Sequence, residues 1–309
     1  TLEQAINSGV VNLDSGIGVY AGDQESYSVF AQLFDPIIEA YHGFGKEDAH
    51  KSNLNPDDLH APNPDPEGSY IVSTRIRVGR NMDNMPLGPG ISKEQRDKVE
   101  ACVVEGLETL EGELAGAYYP LLGMTKEIQN KLIEDHFLFK EGDRFLDAAG
   151  LNRDWPEGRG IYHNHDKTFL VWVNEEDQLR IISMQKGGDI KEVFERLTKA
   201  IRTVESKVQF AYSDHLGYIT SCPTNLGTAM RASVHITLPN LAKNMKKFEA
   251  ITDKHHLQIR GIHGEHSESE GGIYDISNRR RLGITEVEAV QDMYNGVVAL
   301  IAAEKALSQ

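Results

Sequence analysis

The chain has 309 residues, 39% hydrophobic and 26% charged, the composition of a globular protein with room for a large core and two domains. A formal net charge of −15 argues against nucleic acid or an anionic membrane surface as the main partner, and no apolar run reaches the length of a membrane span. Two cysteines, Cys102 and Cys222, are too few for a disulfide framework, and no basic-then-apolar leader opens the sequence, so a cytoplasmic location is expected.

In chain order, residues 27–43 place apolar side chains at helical spacing, with Pro36 as a break or kink. Residues 50–69 hold four prolines among Asn, Asp and Gly and read as an interdomain linker without a packed element. Beyond it, strand-like runs rich in Ile, Val, Thr and aromatics occur at 70–78, 168–174, 179–185, 217–222, 230–238, 257–261 and 272–276. Capping-box pairs start three helices: Ser92 with Gln95, Asp189 with Glu192, and Thr285 with Glu288. A tight turn at 175–178 joins two of the strands and implies an antiparallel pair. The fold class is therefore α+β, with a mostly antiparallel sheet flanked by helices.

Arg75 and Arg77 stand two apart on one strand and leave the same face. Arg180 opens the strand after the tight turn, Arg231, Ser233 and His235 share a face of another, and Arg260 ends a fourth. A guanidinium on an inner face is costly unless an anion meets it. Any one of them is more simply explained by a solvated face or by one of the 47 acidic residues. Five on four strands of one sheet favour a shared phosphate cradle.

Glu175, Glu176 and Asp177 crowd the tight turn, and Glu265 lies in a Glu/Ser-rich loop. A carboxylate pair suits a planar guanidinium, although either group alone is usually just solvated. Glycines at 261, 264, 271 and 272 fit a lid around Glu265. Cys222 is either an inert small hydrophobe or, near Arg231 in sequence, a thiol of lowered pKa. The run DSGIGVYAG at 14–22 offers consecutive N–H groups as an anion nest. It is not a dinucleotide fingerprint, and no P-loop or protein-kinase motif occurs. The histidines at 163, 165, 263 and 266 lack metal-site spacing.

The segments STRIRVGR, HFLFKEGDRFL, GRGIYHN, FLVWVNEEDQLRIISMQKGGD, CPTNLGTAMRASVHI and GEHSESEGGIYDISNRRRLG together resemble the phosphagen (ATP:guanidino) kinases over nearly the whole chain. The resemblance implies a small all-α N-terminal domain at 1–62, shorter at its start than in the family, and a catalytic α+β domain at 63–309. It implies ATP/ADP and Mg²⁺ as cofactors. Arg75, Arg77, Arg180, Arg231 and Arg260 fall at the family's phosphate-binding arginines, and Ser73, His163 and His235 at nucleotide contacts. Glu176 and Glu265 match the two guanidinium-holding carboxylates, and Cys222 the reactive cysteine beside the substrate. The metal is implied to sit on the phosphates and water, with Glu175 and Asp177 in an outer shell.

Ser15, Gly16, Ile17 and Tyr20 resemble a loop that binds a substrate carboxylate, and Tyr41 occupies a position typical of members that phosphorylate L-arginine. The implied substrate is thus L-arginine, with taurocyamine on the same fold as the alternative and a catalytically silent homologue as the reading from another class. Either glutamate is open to a general-base role, with alignment expected to contribute more. The implied enzyme is a monomer, or one unit of a two-domain or dimeric protein.

Overall fold

The structure, a computed structural model, describes residues 1–262 and 271–308. The chain opens with helices α1 (Leu2–Val11), α2 (Ser26–Val29) and α3 (Ala31–His42) and then runs extended to β1 (Ile71–Arg80). Next come α4 (Lys93–Leu107), β2 (Gly116–Pro120), α5 (Lys126–Glu134), α6 (Arg144–Ala148), β3 (Gly160–Asn164), β4 (Phe169–Val173), β5 (Leu179–Lys186) and α7 (Ile190–Glu205). A two-residue ladder of β6 (Tyr212–Ser213) and β7 (Gly217–Tyr218) precedes β8 (Met230–Thr237), α8 (Met245–Lys254), β9 (Leu257–Gly261), β10 (Ile273–Asn278) and α9 (Glu286–Leu307).

Eight strands form one antiparallel sheet in the order β2-β3-β4-β5-β1-β8-β10-β9, as the α+β reading expects. Side chains alternate across each strand, so the sheet has two chemically distinct faces. One carries Ile76, Val78, Val171, Ile181, Ala232, Val234 and Ile276, all buried. Helix α7 covers it with Val193, Phe194, Leu197, Ala200, Ile201 and Val204, spaced three and four apart. Truncating the wholly buried Phe194 to Ala would cost about 3–5 kcal/mol. The other face is divided. Over β3, β4 and β5, the side chains of Ile161, Leu170 and Ile182 lie under Leu121, Leu138 and Phe139 in a smaller apolar cluster. Over β1, β8, β10 and β9 it is polar, and the arginines stand there.

Both side-chain bonds of the box form at Ser92–Gln95 and Thr285–Glu288, whereas Asp189 only accepts from the Glu192 N–H. The helix expected over 27–43 is instead two, because the backbone leaves helical geometry at Phe30 (φ −108°, ψ 36°), and Pro36 is accommodated inside α3. The strand expected at 217–222 shrinks to two residues, since the chain turns immediately to form the site. The proline-rich 50–69 is not a loose linker. Leu59 and Ala61 are buried in the main core, Asp65 accepts from the N–H groups of Ser69, Tyr70 and Ile71, and Glu286 holds Ser52 and Asn53.

The first helices have little core of their own. Tyr27, Phe34, Ile38 and Phe44 share an apolar cluster with Ala211, Leu216, Ile219, Leu226 and Leu282 of the larger domain. That shared packing seats the small domain against the polar half of the sheet.

Candidate active site

The strand register places five arginines on one face. Arg77 lies opposite Arg231, Gly79 opposite Arg180, Arg75 opposite Ser233, and Asp275 sits between His235 and Arg260. Burial and the neighbouring cations push Arg75 down to about 10 and Arg77 well below its ordinary value. Guanidinium groups held this close to one another lower each other's proton affinity, and a polyanion among them would reverse that. A sixth arginine, Arg281, was not singled out in the sequence. It is half-buried after β10, donates to Asn225 Oδ1, and feels the charges of Arg231 and Arg260.

A cavity of about 740 Å³ opens over this face, lined by Ser73, Arg75, Trp172, Met184, Arg231, Ser233, His235 and Arg260 from the sheet and by residues 133–138 opposite. Asp275 bridges two of them: Oδ1 is 2.5 Å from Arg231 Nη2, and Oδ2 is 3.2 Å from His235 Nε2. Burial would raise the Asp275 carboxyl, but His235 and Arg231 hold it below the usual range. The Trp172 ring lies 5.7 Å from the Arg75 guanidinium and 5.3 Å from that of Arg180, and its indole N–H donates to the Phe137 carbonyl at 2.8 Å. Stacking of this kind fixes the planes in which the two guanidinium forks present their donors.

His163, expected at the nucleotide, is not in this cavity. It is on the same face but on β3, where it stacks on Tyr119 at 4.9 Å, and the apolar cluster lies between it and the arginines. The histidine that joins His235 in lining the cavity is His136, which follows α5 with a left-handed φ of 63°.

A second cavity, about 330 Å³, is lined by Ser15, Gly16, Ile17, Gly18 and Tyr20, by Asp143, Phe145 and Leu146 around α6, and by Glu176 and Cys222. Gly18 (φ +75°) passes so near α1 that a Cβ there would stand 2.8 Å from Gly9 Cα, while the Gly9 N–H donates to the Gly18 carbonyl at 2.9 Å. The loop's own N–H bonds are at its ends, Ser15 to Asn12 and Tyr20 to Ala5. The N–H groups between are thus left for an anion. Helix α6 is tied to the same segment by an Arg144–Asp14 ion pair, by Arg144 Nη1 to Asn12 Oδ1 at 2.9 Å, and by Ser8 Oγ to the Phe145 carbonyl at 2.7 Å.

Arg180 stands between a wall of each cavity, Glu176 of the smaller and Trp172 of the larger. Its guanidinium is 3.0 Å from Glu175 and 3.4 Å from Glu176. Burial, with Glu175 and Asp177 adding to it, raises Glu176 to about 7 despite Arg180. Asp177 Oδ1 accepts from Asn81 Nδ2 at 2.8 Å and from the Ser221 N–H at 3.0 Å, which fixes the segment entering Cys222. The lowered Cys222 pKa expected from Arg231 is not found. Burial, and then Glu176, push the thiol up to about 12, because the charge nearest in space is the carboxylate. Tyr41 does not line the cavity; it is exposed at the end of α3 and stacks edge-on against His42. Glu265 and most of the expected lid lie outside the described residues.

The arrangement can hold a polyphosphate on one side and a guanidinium on the other, with Arg180 between them. Comparison with known proteins points the same way. Residues 98–307 match the ATP:guanido phosphotransferase C-terminal catalytic domain, and residues 1–39 the N-terminal domain of the same family. The chain is 58% identical over 306 residues to an arginine kinase of Penaeus monodon, covering 99% of this chain and 86% of that one. Among solved structures, a lombricine kinase superposes with a TM-score of 0.94 at 42% identity, covering 100% of this chain and 86% of that one. A duplicated taurocyamine kinase of Schistosoma mansoni, solved with transition-state-analogue components, gives 0.92 at 45%, covering 99% and 43%.

Proposed function

The chain belongs to the ATP:guanido phosphotransferase family, and on that premise we propose that it moves the γ-phosphoryl group of ATP reversibly onto a guanidino nitrogen of L-arginine. The observation that carries the reading is Arg180, within 3.4 Å of Glu176 and on the same sheet face as Arg75 and Arg77. One side chain therefore stands among the cradle arginines and touches a carboxylate that lines the guanidinium pocket. The higher identity to the shrimp enzyme than to the lombricine and taurocyamine enzymes supports arginine as the acceptor.

In the forward direction an N–P bond forms as the bond to the β-phosphate oxygen breaks, and the attacking nitrogen loses a proton. The transition state is loose, so catalysis is alignment plus charge neutralisation. Arg75, Arg77, Arg180, Arg231 and Arg260 hold the phosphates, with Ser73 and His235 beside them. The loop Ser15, Gly16, Ile17 and Tyr20 holds the substrate carboxylate, and Glu176 with Glu265 holds the guanidinium beside Cys222. With a pKa raised to about 7, Glu176 is also poised to take the departing proton. Among the described residues no cluster of three or more His, Cys, Asp or Glu could bind a metal by itself. Asp177 is occupied by Asn81 and Ser221. Mg²⁺ would accompany the nucleotide and neutralise phosphate charge, with Glu175 as the candidate outer-shell acid.

A coupled ADP-release assay with L-arginine, taurocyamine and creatine in parallel tests this. Arginine should give the highest kcat/KM. A larger value for taurocyamine overturns the substrate assignment, and no turnover of any guanidine overturns the enzyme.

A further inference from the structure

We infer that Asp143 binds the α-ammonium group of the substrate, so that the smaller cavity selects an α-amino acid over guanidines that carry only an acid group. The inference rests on the arginine reading above. Asp143 lines the same cavity as Glu176 and Cys222 but belongs to a different wall, the start of α6. Its Oδ1 accepts from the N–H groups of Phe145 and Leu146 at 3.0 and 3.2 Å, which accounts for one oxygen as a helix cap. Among the described residues Oδ2 has no hydrogen-bond partner.

The charges a zwitterionic substrate brings match those walls. Its guanidinium would be met by Glu176 and its carboxylate by the N–H groups of Gly16 and Ile17, and among the described residues lining the cavity Asp143 is the other carboxylate, free to meet its ammonium. The Tyr20 phenol marks the common space. Burial raises it, and Cys222, Glu176 and Asp143 each raise it further, so all three lie within electrostatic reach of one hydroxyl. The neighbouring Arg144 holds Asp14 and Asn12, so the start of α6 is fastened to the carboxylate loop. Asp143 is therefore placed against that loop, which is the geometry needed to recognise two groups on one α-carbon.

The test compares L-arginine with 5-guanidinopentanoate, which lacks only the α-amino group, in the wild-type protein and in Asp143→Asn. Asn is as good a helix cap as Asp, so the substitution removes the charge and keeps α6. The expected result is a fall of about tenfold in kcat/KM for L-arginine, the value of one charge-assisted hydrogen bond at a part-exposed site. Turnover of 5-guanidinopentanoate should stay within twofold, and KM for ATP and the thermal midpoint should not move. Equal losses on both acceptors, or no loss on either, would reduce Asp143 to a helix cap and overturn the inference. Asp143→Ser, a second capping residue, repeats the measurement if the Asn variant does not fold. Failure of the arginine reading is separate: the wild-type protein would then not phosphorylate L-arginine at all, and the inference would fall with it.

Discussion

Replacing Glu176 by Gln should stabilise the ligand-free protein and disable it as an enzyme. The carboxyl, raised to about 7 from an ordinary 4.5, is held protonated by the fold over a range where the unfolded chain ionises it. A raised acid contributes its full stability below the unfolded value and loses it as pH rises through the folded one. Above pH 7 the buried carboxylate therefore weakens the fold, by at most about 3 kcal/mol from the gap between the two values. Burying the Gln amide offsets about 1 kcal/mol of that gain. At pH 8 the variant should melt a few degrees above the wild type, and at pH 5 the two should coincide. Activity should move the other way. Removing the charge that faces the guanidinium costs about 2–5 kcal/mol, or at least thirtyfold in kcat/KM for arginine. The wild-type KM for arginine should likewise rise as pH falls below 7. Ligand-free melting curves at both pH values and initial rates at pH 8 decide the matter. Equal midpoints at pH 8, or a kcat/KM within threefold of wild type, would refute the placement of an ionisable clamp at Glu176.

Three further outcomes follow from the geometry. Arg231→Lys should lose at least tenfold in kcat, because a point charge cannot serve Asp275 and a phosphate as a planar fork does; wild-type kinetics would remove Arg231 from the cradle. Gly18→Ala puts an L residue at φ +75° and a methyl 2.8 Å from Gly9 Cα, so KM for arginine should rise severalfold with KM for ATP unchanged, and an unchanged arginine KM would show that the loop does not touch the acceptor. Cys222, with its thiol pushed up to about 12, should be alkylated in the ligand-free protein at a rate climbing about tenfold per pH unit beyond pH 9. A rate that levels off by pH 8 would contradict the buried carboxylate environment.

The five cradle arginines were legible because strand alternation is a strict period of two, so Arg75 and Arg77, or Arg231 and His235, reach one face wherever the sheet packs. What lacked a period was not legible. Arg281 is one of three consecutive arginines, and only the structure shows Arg279 and Arg280 turned outward to Asp253 and Asp292 while Arg281 turns in. His136 follows a helix in irregular chain, with no pattern to distinguish it from His163. β2, at the sheet's edge, and β3 beside it are five residues each and begin with glycine, too short to register as alternating runs. Of the two readings of Cys222, the lowered thiol fails because Arg231, nine positions along the chain, does not set its environment, which Glu176 sets across the fold. The proline-rich segment was taken as loose from its composition, yet Leu59 and Ala61 tie it to the core.

The position of Trp172 gives the protein an optical property. The sequence has two tryptophans, and both pack around Phe139, with ring centroids 5.7 Å (Trp155) and 5.3 Å (Trp172) away. Trp155 lies beneath Arg159, a residue whose guanidinium is satisfied by backbone carbonyls. Trp172 lies beside Arg75 and Arg180 and lines the polyphosphate cavity. An anion that draws those two cations off the indole face would change the electric field across that chromophore. The ultraviolet emission of the unlabelled chain should therefore respond to cradle occupancy through Trp172.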